Sequence, residues 1–484
     1  MIHSHRTRFA LRFRRPSVAC LLLVTLQPPL PPEVTPVPPL PPAPTAEAMR
    51  LPAAGAPRRL TLSEAVALAL REHPEIRRAQ AQLRQLVGSA RAQRAALLPS
   101  VGLSYTYQSD PLAGFSTAAG TLRRPEAAIA GPPPGAAPPF DFDLNQFLAR
   151  HQVSVSVNQL LFDFGGARAR SEQALRRVEA ARAGLEAAAE TVALRVRDRY
   201  YALLQAEAMV EVQRANLAAR RASLALVEAR FQEGAAPYGD VARATASVGQ
   251  AQAALAEALG AAEQARIALA EAIGLDPRTP VAPVPASEPE PPLPPLERLV
   301  EVALARRAER RQSQLTLAAE SAGLRAARRG RWPTLFGSVV YSLRGRDFPE
   351  TARGPGVILS LTWSPFDSGV TRGEIEQAQG RLAAAESELR RTELAIAGEV
   401  ANAYQQVQVA EARLANARVA VASARESLRI ARERYEAGIA VFVEVTDAES
   451  ALAAAEGERV TAEHALHRAR VALAAALGPT PRER

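Results

Sequence analysis

The sequence contains no lysine; all 59 of its Lys and Arg residues are arginine. That removes the phosphate-gripping lysine of a P-loop, the Schiff-base lysine and the lysine of a kinase fold, and with them nucleotide hydrolysis by those routes. The one cysteine, Cys20, stands near the N-terminus, so the rest of the chain has no disulfide and no thiolate metal site. Aromatics make up only 5% of the 484 residues, too few for a base-stacking surface. The arginines alternate with glutamates along helices rather than gathering in a patch, which argues against nucleic acid despite a net charge of +9. Beyond residues 1–48 there is no apolar run of about 20 residues, which rules out a helical membrane span. No catalytic constellation stands out. His464 and His467 are three apart on a helix, yet the spacing places no third ligand, so they read as solvated or packed histidines. The expectation is a protein that is not an enzyme and has neither cofactor nor metal.

What the sequence does contain is itself, twice. Phe162, Asp163 and Gly165 return as Phe366, Asp367 and Gly369, and the same offset of 204 carries Val196 to Val400, Tyr200 to Tyr404, Gly234 to Gly438 and Gly274 to Gly478. Upstream the offset is 234, taking Leu62 to Leu296, Leu70 to Leu304 and Pro99 to Pro333. A single loop between Pro99 and Phe162 was therefore resized. Units of this length are not solenoid repeats; they are two copies of one large module, spanning 49–275 and 296–478, with a Pro-rich extended linker at 276–295 and a short tail at 479–484.

Residues 1–48 combine a basic start, the short apolar stretch Val18 to Leu26 and a run of prolines, the pattern of a secretory signal peptide. Its cleavage point is open: Ala46-Glu47-Ala48 is a small-x-small site but lies far past the apolar core, and Cys20 lies inside that core rather than after it, unlike a lipidated cysteine. The bland alternative is a disordered leader.

Each module reads helix, strand, loop, strand, very long helix, short break, helix. Leu62 to Leu97 has helical periodicity, with Thr61 or Ser63 as cap and Pro99 as terminator. The period then becomes two: Val101, Leu103, Tyr105 and Tyr107 alternate with small polar residues, as do Val153, Val155 and Val157. The second module answers with Val339, Tyr341 and Leu343, then Val357, Leu359, Leu361 and Trp363. The loop inside the first strand pair carries Gly131-Pro132-Pro133-Pro134-Gly135 and cannot be regular structure. The strands approach the roughly 9 to 11 residues of a tilted transmembrane strand, apolar on one face.

From Gly166 to Arg230 no proline interrupts a helix on the order of 100 Å long. Val196, Leu203, Val210, Leu217, Leu224 and Phe231 recur every seven residues, answered by Val400, Val407, Leu414, Val421, Leu428 and Tyr435. This is a coiled-coil seam. A second series, Ala208, Ala215, Ala222 and Ala229, lies on another face. The seams fit either an antiparallel coiled-coil hairpin or a wall of helices with neighbours on both sides. Helix breaks fall at Gly234 to Asp240 and Gly438 to Glu444. Four strands cannot close a barrel alone, and open edges are not tolerated in lipid; two copies would supply 8 strands and three copies 12.

In this order and duplication, the junction motifs Phe162-Asp163-Phe164-Gly165 and Phe366-Asp367-Ser368-Gly369 and the tip motifs Phe231-x-x-Gly234 and Tyr435-x-x-Gly438 resemble those of the TolC-type outer-membrane efflux channels, over essentially the whole chain after the leader. The resemblance implies a mostly α fold with a small β part: a homotrimer forming a 12-stranded transmembrane β-barrel in outer-membrane lipid, continued by a periplasmic α-helical barrel. Its implied partners are a periplasmic adaptor protein and an inner-membrane pump, in a tripartite efflux or type I secretion system. It also implies that Glu444 and Asp447 form acidic rings at a gated entrance and that Asp240 and Tyr435 make a gate-closing contact. The family's constraining arginine is Ala440 here. Gly234, Ala235, Pro237, Gly438, Ile439 and Val441 are the implied adaptor-docking tips. Without the resemblance, the acids read as ordinary helix-start residues. The competing function is a periplasmic coiled-coil adaptor or scaffold, which leaves the four strands and the duplication unexplained. The substrate is not legible.

Overall fold

A computed structural model describes residues 58–110, 148–284, 293–345 and 352–479. The leader, Cys20, the Pro- and Gly-rich part of the resized loop, the centre of the linker and all but the first residue of the tail lie outside the described residues.

The first module comprises β1 (Arg58–Leu60), α1 (Leu62–Glu72), α2 (Pro74–Ala95), β2 (Ser100–Asp110), β3 (Leu148–Phe162), α3 (Gly166–Gln232) and α4 (Tyr238–Ile273). After β4 (Val281–Pro283), the second comprises α5 (Leu296–Arg306), α6 (Ala308–Arg329), β5 (Thr334–Gly345), β6 (Ala352–Thr362), α7 (Val370–Glu436) and α8 (Phe442–Ala476). The duplication thus extends to the folded elements, and α3 and α7 have the same length, 67 residues.

The helix expected over Leu62 to Leu97 is two helices. Thr61 starts α1 with a capping box, its hydroxyl accepting from the Glu64 N–H while Glu64 returns to the Thr61 N–H. The chain then breaks at His73, which is extended and accepts from the Glu75 N–H at 3.2 Å, and Pro74 begins α2 without needing an N–H. Proline is not the whole cause, because the second module breaks at the equivalent Arg307-Ala308. There Arg307 is drawn toward Glu309 and Glu399, each at 2.9 Å. In both modules the second long helix ends against this break. A side chain added at Gly274 would lie 3.1 Å from the His73 Cα, and one at Gly478 would lie 3.4 Å from Arg306.

The linker also holds structure: β4 pairs in parallel with β1, Arg58 to Val281 and Leu60 to Pro283. The buried Tyr200 hydroxyl fixes this pair by donating toward the carbonyl oxygens of Leu60 and Val284 and accepting from the Val284 N–H.

β2, β3, β5 and β6 form one antiparallel sheet in that order, so the central β3–β5 pairing joins the two modules. Its register lines up rows across all four strands: Val101, Val157, Val339 and Val357 in one, Leu103, Val155, Tyr341 and Pro355 in the next. The opposite face carries Gly102, Ser156, Val340 and Gly356, then Ser104, Ser154, Ser342 and Gly354. Ser104 and Ser154 are hydrogen-bonded at 2.7 Å, as are Ser338 and Asn158 at the same distance. Among the described residues, the outer edges of β2 and β6 have no partner.

α3 packs against α2, α4, α6 and α8, the wall rather than the isolated hairpin. In α7 all six seam residues from Val400 to Tyr435 are buried, whereas in α3 burial lasts only through Leu217. The alanine series is not covered within the chain: Ala215, Ala222 and Ala229 are exposed.

Candidate functional site

At the far end of the long helices from the sheet, each module turns back through a short tip. The α3–α4 turn is made possible by Gly234 at φ +74° and the α7–α8 turn by Gly438 at φ +72°, a backbone that side-chain-bearing residues rarely adopt. The turns close in the same way: the Gly234 N–H donates to Phe231 and the Ala235 N–H to Arg230, as Gly438 does to Tyr435 and Ile439 to Arg434. Pro237 and Val441 are the N-caps of α4 and α8. Ala235, Pro237, Ile439 and Val441 are exposed, so each tip offers a small apolar surface around its glycine.

The expected acids sit in the first turns beyond these tips. Glu444 and Asp447 lie three apart on α8, one face of a helix. They are not equivalent: Glu444 accepts from the Arg434 guanidinium at 3.0 Å, while Asp447 is exposed. Asp240 lies in the first turn of α4, 3.6 Å from Arg243. The Asp240–Tyr435 contact implied by the resemblance is not made in this chain. Arg243 engages the carboxylate, and Tyr435 is packed among Val227, Ala244, Leu428 and Phe442, its buried phenol oxygen without a hydrogen-bond partner among the described residues. Ala440 stands at the turn, half-buried, and supplies no cation.

Two features near the tips escape sequence reasoning. Arg230 of α3 donates to the carbonyl oxygens of Tyr435 and Glu436 at 2.7 and 2.5 Å and lies over the Tyr435 ring, 4.8 Å from its centroid. It closes the end of α7, where unsatisfied carbonyls attract a cation. Deeper, Glu449 of α8, its side chain 2% exposed, accepts from the Ser223 hydroxyl at 2.5 Å and from Arg432 at 3.0 Å, with Arg220 at 3.2 Å. Arg220 also donates to the Thr446 carbonyl and the Ser450 hydroxyl. This buried network ties α3 to the α7–α8 hairpin across more than 200 residues of sequence, and its only trace in the sequence is a Glu–Ser pair on α8 that breaks the apolar spacing.

At the other end, the junction motifs are helix starts. Asp163 accepts from the N–H groups of Gly165 and Ala167, and Asp367 from those of Gly369 and Thr371, which caps α3 and α7. Phe164 and Ser368 adopt φ +55° to allow it. Phe164 stacks on Trp332 and meets Phe162 edge to face at the first junction, with Trp363 and Phe366 exposed at the second. His464 and His467 sit on α8 with ring centroids 6.2 Å apart, and His467 stacks on Tyr201; burial pushes the His464 imidazole below its ordinary pKa.

The profile of the family described as outer membrane efflux protein matches residues 65–275 and 299–479, the two modules and not the linker. Protein CyaE of Bordetella pertussis is 28% identical over 450 residues, covering 87% of this chain and 84% of that one. The outer membrane protein VceC of Vibrio cholerae superposes with a TM-score of 0.70 at 22% identity, over 86% of this chain and 96% of its own. The open state of the MtrE outer membrane channel of Neisseria gonorrhoeae does so with a TM-score of 0.68 at 21% identity, over 86% and 88%.

Proposed function

The chain belongs to the outer membrane efflux protein family, and from that premise we propose that three copies assemble into one gated conduit. Each copy contributes its four strands to a 12-stranded barrel in the outer membrane, and α3, α4, α7 and α8 continue the barrel as a helical tube through the periplasm. The observation that carries this reading is the sheet. Among the described residues it has two open edges, one face of continuous Val, Leu and Tyr in the open and an opposite face rich in Gly, Ser and Asn, with Val340 among them. Lipid accepts the first face and water the second, but lipid does not accept open edges, so further copies must pair with them. The exposed aromatics at the junctions belong to the girdle where strands leave the bilayer.

In this conduit the tips form the periplasmic entrance. Asp447 and Glu444 of three chains ring the axis and favour cations over anions. Asp240 and Tyr435 stand at the hairpin ends whose approach narrows the opening, and their contact belongs to the closed state. Gly234, Ala235, Pro237, Gly438, Ile439 and Val441 dock an adaptor that connects the conduit to an inner-membrane pump of a tripartite efflux or type I secretion system. Extraction from outer-membrane fractions should yield trimers that conduct in planar bilayers, and Glu444→Gln with Asp447→Asn should lower cation preference with the trimer intact. A stable monomer in detergent-free solution would overturn the assembly, and unchanged selectivity in the double variant would return both acids to ordinary helix-start roles.

A further inference from the structure

The apolar face of the sheet changes character at the end away from the helices. Above the Val101 and Leu103 rows comes a row of Tyr105, Val153, Leu343 and Arg353, and above that one of Tyr107, His151 and Gly345. Arg353 is the one arginine on this face among the described residues, and no aspartate or glutamate of the described residues shares the face with it. It is exposed and makes no ion pair or hydrogen bond among the described residues.

Two strands measure the height of this change. On β6, ten residues separate Arg353 from Trp363, the exposed aromatic at the helix end. At about 3.3 Å per residue and a tilt of about 40°, that separation is about 25 Å along the bilayer normal, the height of the apolar band of an outer-membrane barrel. On β3, His151 stands eleven residues from Phe162, and the bulge between Leu160 and Phe162 takes up the odd residue, so both remain on the same face. Arg353 and His151 therefore lie one band above the aromatics of the periplasmic boundary, at the level of the outer headgroups. Tyr105 and Tyr107 mark the same level. The Tyr105 hydroxyl is hydrogen-bonded to His151 Nδ1 at 2.9 Å, and the Tyr107 ring lies 5.2 Å from the imidazole, side chains with an apolar body and a polar end as a membrane boundary selects.

A guanidinium at this level meets either water or the phosphates of the headgroups. Phosphate accepts two parallel hydrogen bonds from the arginine fork, and no carboxylate on the face competes for it. On the membrane side of Arg353, Pro355, Val357 and Leu359 of the same strand leave an open apolar surface, Val357 and Leu359 being 72% and 68% exposed. We propose that Arg353 holds a phosphate group of an outer-leaflet lipid, one lipid per copy of the chain, with the acyl chains lying along β5 and β6.

The inference rests on the barrel reading above, and the test separates the two. Protein extracted from outer membranes and stripped of lipid is mixed with lipid A carrying its phosphates, or with the same lipid dephosphorylated, and the lipid retained per copy is read by native mass spectrometry. The unmodified protein should retain the phosphorylated form about tenfold or more better, and Arg353→Ala should abolish that preference with the mass of the assembly unchanged. Arg353→Lys, which keeps the charge without the fork, should keep part of it. Inorganic phosphate in about hundredfold excess should displace less than about half of the bound lipid, because the acyl chains contribute to binding. Equal retention of the two lipids, or a preference that survives in Arg353→Ala, overturns the site. Full displacement by inorganic phosphate overturns a lipid as its ligand. Unmodified protein that fails to fractionate with the outer membrane would instead overturn the barrel reading itself.

Discussion

The sheet and the helical body follow opposite rules for apolar side chains. On the sheet, Val101 and Leu103 are 74% and 76% exposed, whereas Val196 and Leu203 of α3 are 0% exposed. A protein surrounded by water does not leave a four-strand field of Val, Leu and Tyr uncovered. The helices do what water demands and bury their seam, and where they bury charge, at Glu449, they surround it with two arginines and a hydroxyl. The difference shows that the same chain is built for two surroundings, lipid around the strands and water along the helices on the reading proposed here.

The largest effect is expected where the body's rule is broken. Glu449→Ala leaves Arg220 and Arg432 facing each other without their carboxylate and should cost about 3–5 kcal/mol, measured as a fall in the denaturation midpoint of the helical signal while the trimer remains in the membrane. An unchanged midpoint would mean that the network is solvated in the assembly. Next comes the sheet's rule: Val155→Arg on the apolar face should cost about 2–4 kcal/mol near the bilayer centre and deplete the protein from outer-membrane fractions. Ser154→Arg, one residue along and on the other face, should insert normally and alter conductance only. Equal insertion of the two would erase the comparison.

The junction where the two regimes meet gives a smaller effect. Asp163→Ala removes the acceptor for the first N–H groups of α3 and should cost about 0.5–2 kcal/mol, visible in thermal melts and absent for the isosteric acceptor in Asp163→Asn. The smallest is a pH effect confined to the body. Because burial lowers the His464 pKa from its ordinary 6.5, the folded protein binds fewer protons there than the unfolded chain. The associated stability is complete above pH 6.5 and is lost as the pH falls toward the lowered native value. His464→Gln should flatten that part of the stability profile; an unchanged slope would show that the histidine is hydrated in the trimer.

Much of this architecture was legible in residue order. Alternation at Val101 to Tyr107 and Val357 to Trp363 marks strands because a pleat sends successive side chains to opposite faces. The heptad from Val400 to Tyr435 and the glycines at 234 and 438 mark long helices and their turns for equally local reasons. The break at Arg307 was not legible, since Ala308 is a good helix former and the contacts of Arg307 there include Glu399, far along the chain, as well as Glu309. Nor was the strand hidden in the proline-rich linker, which exists because β1 and the Tyr200 hydroxyl await it.

The sequence by itself determined the duplicated plan, the faces of each strand and helix and the positions of the turns, because these follow from backbone periodicity and the φ preferences of single residues. Only the tertiary structure decided that Tyr435 is covered while its repeat Phe231 stands open, that Glu444 has Arg434 for company, and that Glu449 draws two arginines from two helices. Those outcomes depend on which surfaces meet across hundreds of residues, and two nearly identical sequence patterns acquire different surroundings once the chain supplies a neighbour to one and leaves the other at its edge.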